Sequence, residues 1–98
     1  MKITVSEIDG DGNQSISGML EDAKFNKRGL WHNTKAFSID INHKKQISTV
    51  CSFVWVDGVP ANYTVVKTYK EIIGDSEVEK VLMDCNLMER KIENEKEH

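Results

Sequence analysis

The segment Gln46 to Asp57, QISTVCSFVWVD, is the longest run in the chain dense in β-branched and aromatic residues, and no other stretch limits the fold as tightly. It reads as a central β-strand. Ile47, Thr49, Cys51, Phe53 and Trp55 share one face at period two, while Val50, Val54 and Val56 make the other face apolar over its second half. A strand apolar on both faces is expected to be flanked by neighbours and covered. With 98 residues in all, the strand and whatever covers it form one domain, residues 1–98, around one core.

The stretches on either side supply candidate neighbours. Lys35 to Ile41 alternates cleanly, with Phe37, Ile39 and Ile41 on one face and Ala36, Ser38 and Asp40 on the other, which is a half-buried strand. Asn42-His43-Lys44-Lys45 is a link of hairpin length, so this strand should pair antiparallel with the central one. On the far side, Asp57-Gly58-Val59-Pro60-Ala61 reads as a turn. Asn62 to Tyr69 then puts Tyr63, Val65, Lys67 and Tyr69 on one face and Thr64, Val66 and Thr68 on the other. Its faces are less decided, as expected near a sheet edge where Lys67 would discourage strand addition.

Nearer the start, Lys2 to Ile8 alternates with a slip at its end, and Asp9-Gly10-Asp11-Gly12-Asn13 breaks it, because Asp, Asn and Gly accept left-handed backbone. This segment partly resembles an EF-hand calcium loop, with oxygen ligands at Asp9, Asp11 and Asn13. It departs where that loop needs a glycine, at Gln14, and where it needs a closing glutamate, at Leu20, so a hairpin turn is the better reading. Ser15 to Trp31 admits an amphipathic helix through Met19, Leu20 and Ala23, but Gly18 and Gly29 favour a hairpin. The spacing of Ile16, Gly18, Leu20, Lys24, Gly29 and Trp31 resembles a single repeat of the MORN family, without the turn glycine where Ala23 stands. One repeat has no neighbour to stack on, so the resemblance implies a local hairpin and no function.

The C-terminal part is helical in pattern. Lys70 to Gly74 reads as a turn that tucks Ile72 and Ile73 inward, and Ser76 with Glu79 forms a capping-box signature that places a helix start within two residues of Glu77. Val78, Val81, Leu82, Cys85, Met88 and Ile92 recur at helical spacing and should cover one face of the sheet. Met83 and Leu87 lie opposite that stripe as a small exposed apolar pair, and residues 93–98 form a charged tail expected to fray. The fold expected is therefore α+β, an antiparallel meander of about five to six strands with one C-terminal helix packed on one face.

Function is less legible. The net charge of −3 gives no basic excess for nucleic acid, no continuous apolar stretch offers a signal sequence or membrane span, and a cytoplasmic protein is expected. Cys51 and Cys85 stand without the spacing of a zinc site or a disulfide framework, and both read as small buried hydrophobes. His32, His43 and His98 lie at a linker, a turn and the terminus, and no nucleophile elbow or phosphate loop is present, so neither enzyme activity nor a cofactor is expected. The expectation is a small binding or inhibitor protein, in bulk character like immunity proteins, antitoxins and phage inhibitors, that occludes a basic toxin or host enzyme without engaging nucleic acid or membrane. Its partner-binding residues are expected to be Asp9, Asp11, Glu21, Asp22 and Trp31, with Met83 and Leu87 as a second contact face. Two other readings remain: an oligomeric enzyme with a shared site built from Trp31, Trp55, Tyr63 and a nearby histidine, and a structural protein that self-associates, for instance as a homodimer.

Overall fold

A computed structural model describes residues 1–89. Ile92 of the expected helical stripe and the expected frayed tail lie outside that range. Five strands follow one another in space as they do in sequence: β1 (Thr4–Val5), β2 (Asn13–Met19), β3 (Thr34–Asn42), β4 (Ile47–Val56) and β5 (Val59–Tyr69), all antiparallel. A 3₁₀ turn at Asp75–Glu77 leads into α1 (Val78–Asp84). The fold is thus α+β, an antiparallel meander with one short C-terminal helix. No helix among the described residues is long and apolar enough to cross a membrane.

The turns follow from their residues. Asp57 and Gly58 both adopt positive φ, 50° and 83°, and join β4 to β5 in a two-residue hairpin of the kind that matches strand twist. The strand therefore resumes at Val59, earlier than the expected start at Asn62, and Pro60 is tolerated because β5 is an edge strand. At the β1–β2 turn, Asp9 Oδ1 accepts the backbone N–H groups of Asp11 and Asn13, each at 2.9 Å. These two bonds hold its carboxyl below the usual carboxylate range.

The segment read as a hairpin over 15–31 is different. β2 pairs along its whole length with β3, as Ile16↔Ile39 and Gly18↔Phe37, and not with the residues before Trp31. Burial explains the preference: Ile16 on β2 completes a buried row with Ile39 and Val50, which a local hairpin could not supply. Residues 20–33 form a long connection, closed on itself by the bridge Phe25↔Trp31, by backbone bonds from the His32 amide to the Lys24 carbonyl and from the Asn26 amide to the Leu30 carbonyl, and by the Asn26 side chain, which accepts from the amides of Arg28 and Leu30. Gly18 is required where it stands, because a Cβ there would lie 2.9 Å from the Phe37 ring and from the Lys2 carbonyl. The ring of Phe37 occupies the space that a side chain on β2 would fill.

The two faces of the sheet differ. On the inner face, Ile16, Phe37, Ile39, Ile41 and Val50 form one buried cluster with Ile73, Val78, Val81 and Leu82. Ser48, fully buried, ties β4 to the segment before the helix, because its hydroxyl donates to the Glu71 carbonyl at 2.7 Å and accepts from the Ile73 amide at 3.0 Å. The molecule is 20 Å deep along its shortest axis, the depth of a sheet and one covering layer at about 10 Å each.

The helix is shorter than its apolar periodicity suggests. It stops at Cys85 because Asn86 takes a left-handed conformation, φ 59°, and the Leu87 amide bonds to the Leu82 carbonyl while the Asn86 amide bonds to that of Met83. This is a Schellman ending with asparagine in the glycine position and Leu87 packed back towards the core. Met83 and Leu87 accordingly do not share a helical face, and both are half-buried. The helix starts at Val78, within two residues of Glu77 as expected, but the capping pair differs: Glu77 Oε1 accepts the Gly74 amide at 2.9 Å, while Glu79, expected in the capping box, lies 2.9 Å from the Met1 amino group.

Candidate functional site

Cross-strand pairing sorts the side chains of the other, open face into rows. From one end these are Asn13, Asn42 and Ile47; then Ser15, Asp40, Thr49 and Thr68; then Thr4, Ser17, Ser38, Cys51 and Val65; then Met19, Ala36 and Phe53; and last Thr34, Trp55 and Pro60. The face therefore grades from polar through small to aromatic.

β5 contributes to this face through two irregularities. The register slips by one residue between Val50 and Cys51 and again between Ser52 and Val54, where Asn62 has φ 58°. These are β-bulges, and each reverses the alternation of the strand. Tyr63 and Val65 consequently face the open side with Phe53 and Cys51, whereas Lys67 and Tyr69 face the inner side with Val50 and Ser48. The expectation that all four share one face fails at the bulge beside Val66, because an extra residue shifts the period-two count.

The aromatic end is continuous. Phe53 stacks on Tyr63 with ring centroids 4.6 Å apart and 20° between planes, meets Trp55 edge-on at 5.6 Å, and Trp55 meets Trp31 edge-on at 4.9 Å. Phe53 is nearly covered by its neighbours at 5% exposure, but Tyr63 and Val65 remain 57% and 64% exposed. Beside this cluster lies a groove lined by Thr4, Ser17, Met19, Trp31, Phe53 and Trp55, with Glu21 and Asp22 at its rim.

Mid-face, Asp40 lies 3.9 Å from the Cys51 thiol. Partial burial pushes the Asp40 carboxyl above its ordinary range, and the Cys51 contact acts in the opposite direction. Burial first, and the Asp40 charge second, push the Cys51 thiol up as well. A thiol so placed is a weaker nucleophile than a free one, which leaves Cys51 without the activation a catalytic cysteine requires. Ser38, directly opposite Cys51, is 7% exposed, and its hydroxyl makes no hydrogen bond of ordinary geometry among the described residues. No group of three or more His, Cys, Asp or Glu side chains among the described residues is placed to hold a metal ion.

The residues expected to bind a partner are not brought into one place. Glu21, Asp22 and Trp31 border the same groove. Asp9 and Asp11 sit in the β1–β2 turn, at the other end of the seven-residue β2 and so about 20 Å away. Glu21 is also engaged structurally: Oε2 accepts the Lys35 amide at 2.6 Å, Oε1 lies 3.5 Å from Lys24 Nζ, and the amide bond first of all holds its carboxyl low. Met83 and Leu87 lie on the helix and in its terminating turn. The alternative aromatic set does assemble, with Trp31, Trp55 and Tyr63 linked through Phe53. His32 stands nearby, its Nδ1 accepting the Asp57 amide at 3.2 Å. Reading β3 and β4 together would have found this face, since the small and polar Ala36, Ser38 and Asp40 oppose the aromatic side of β4.

Comparison with protein-family models, with curated proteins and with solved structures gives no match.

Proposed function

We propose that this chain is a small cytoplasmic binding protein without catalytic activity, one that acts by covering a macromolecular partner in the manner of an immunity protein, antitoxin or phage-encoded inhibitor. The observation that carries the reading is the run of contacting rings Trp31, Trp55, Phe53 and Tyr63 on a face whose apolar residues Tyr63 and Val65 stay in water. Exposed aromatic clusters of this kind are what hot spots are made of, because a rigid ring buries much area for little lost rotamer freedom. The test is co-purification of the tagged chain with the product of the adjacent gene, followed by Tyr63→Arg. A complex of defined stoichiometry that Tyr63→Arg abolishes, while melting temperature stays near that of the parent, is expected. A complex unaffected by that substitution removes the open face from the interface, and failure to form any complex removes the reading itself.

The convergence of Trp31, Trp55 and Tyr63 also favours, as a second reading, an oligomeric small-molecule site. A metabolite screen by thermal shift decides it: a ligand that raises the melting temperature and is lost on Trp55→Ala supports it.

A further inference from the structure

The charge on the open face is unevenly placed. Its aromatic end carries Glu21 and Asp22 against Lys2, and its polar end carries Glu7, Asp9 and Asp40 against Lys45. Several of these carboxylates already have work to do: Asp9 closes its own turn and Glu21 holds the Lys35 amide. Glu7, Asp22 and Asp40 differ, since none of them has a lysine, arginine or histidine within ion-pairing distance among the described residues. Asp40 is the most telling of the three. It is exposed on the face, its carboxyl 3.9 Å from the thiol of Cys51, one row from the exposed Val65 and two from the Phe53–Tyr63 stack.

We infer that the open face docks a cationic polypeptide segment, with one basic side chain of the partner seated on Asp40 and the partner's neighbouring apolar side chains on Val65, Tyr63 and Phe53, while Asp22 meets a second cation. The inference rests on the binding role proposed above and specifies the chemistry of the partner. Arginine fits the position better than lysine, because its planar fork matches a carboxylate in two hydrogen bonds. A second copy of this chain would bring its own Lys2 and Lys45 to the face but no arginine, and it is one of the outcomes tested below. Nucleic acid is disfavoured by the negative charge of Glu7, Asp22 and Asp40.

The chain has two tryptophans, Trp31 and Trp55, and both line this face, so their fluorescence reports occupancy without a label. The probes are three twelve-residue peptides in which alanine and leucine alternate with arginine, with glutamine or with glutamate. Only the arginine peptide is expected to shift the emission, its affinity falling as salt is raised. Asp40→Asn, which preserves size, should weaken it about tenfold, as loss of one charged hydrogen-bonded contact. Circular dichroism and melting of that variant check that it folds. Equal responses to all three peptides overturn the charge assignment while leaving a docking face, and no response to any overturns the inference. So does a dimer seen by light scattering with both tryptophans shielded, which would place a second copy there. The broader reading fails separately, by the absence of any stoichiometric complex with the adjacent gene product. A complex that forms but is indifferent to Asp40→Asn and to salt overturns only the cationic partner.

Discussion

Replacing Leu82 with alanine tests whether the short helix holds the inner face together. Leu82 is fully buried and belongs to the cluster that joins α1 to β2, β3 and β4. Truncation removes three carbons, worth about 2.4 kcal/mol at roughly 0.8 kcal/mol for each buried methylene-sized group. The cavity left behind adds to this, giving an expected loss of about 2–5 kcal/mol. The upper part of that range is expected, because Leu82 is fully buried in the cluster against which Leu87 also packs. Met83, half-buried and outside the cluster, is the control, with an expected cost of about 1 kcal/mol or less. Urea unfolding followed by tryptophan fluorescence and by far-ultraviolet circular dichroism measures both. Against a total stability of about 5–15 kcal/mol, the Leu82 variant should unfold at a visibly lower midpoint with an unchanged slope. Equal losses at the two positions would refute the assignment of the buried side of the helix.

Gly18→Ala should destabilise by roughly 1–3 kcal/mol in the same assay, because its methyl meets the Phe37 ring and the Lys2 carbonyl at 2.9 Å. Gly10→Ala, with nothing within 4 Å, should change stability by no more than about 0.5 kcal/mol, and a larger cost there would contradict the geometry of the turn. Ser38→Ala is expected to stabilise by about 1 kcal/mol, since an unsatisfied buried hydroxyl is a net cost, and a loss of that size would reveal a partner for it. Burial and the Cys85 contact push the Tyr69 phenol up to about 12. Because the folded protein holds this proton more tightly than the unfolded chain, the contribution to stability is complete below about pH 10 and is lost as pH rises towards 12. Phenolate absorbance should show a late step that Tyr69→Phe removes, and Tyr69→Phe should lessen the alkaline loss of stability; a Tyr69 that titrates near 10 in the folded protein would refute this.

What the sequence made legible was wherever local pattern and burial agree. The alternation of Phe37, Ile39 and Ile41 marked β3 and its buried side, and the Asp57-Gly58 pair marked the β4–β5 turn, because period two and left-handed backbone are both local properties. Helix length failed, since Cys85 and Met88 continue the spacing of Val78, Val81 and Leu82 while Asn86 ends the helix by a backbone conformation that periodicity does not register. The β1–β2 turn was found, but the pairing of β2 was not, because Gly18 and Leu20 through Trp31 satisfy a local hairpin pattern equally well. Only the burial of Ile16 against Ile39, a contact 23 residues away in the chain, decides between the two. Among the residues named for partner binding, Glu21, Asp22 and Trp31 came together on one rim; Asp9 and Asp11 were separated from them by the length of a strand that the hairpin reading had folded away.

The open face itself depends on the failure of simple alternation in β5. Had the strand paired without slips from Tyr69 back to Val59, the residue opposite Cys51 would have been Val66 and that opposite Phe53 would have been Thr64. The aromatic side of β4 would then have met a threonine, with Tyr63 and Val65 turned to the inner side, and Phe53 would have had no ring to stack on. Bulges disrupt ladder hydrogen bonds and leave a residue unpaired, so two within one edge strand have a structural cost. Their combined effect is to carry Tyr63 onto Phe53 and Val65 onto the Cys51 row, adding exposed apolar surface beside an uncompensated carboxylate at Asp40. Phe53 is covered as a result, but Tyr63 and Val65 remain largely in water, and the exposed Asp40 on β3 has no ion-pairing cation among the described residues. The basic and apolar segment proposed above would, in one contact, remove that apolar area from water and set a counter-charge beside Asp40.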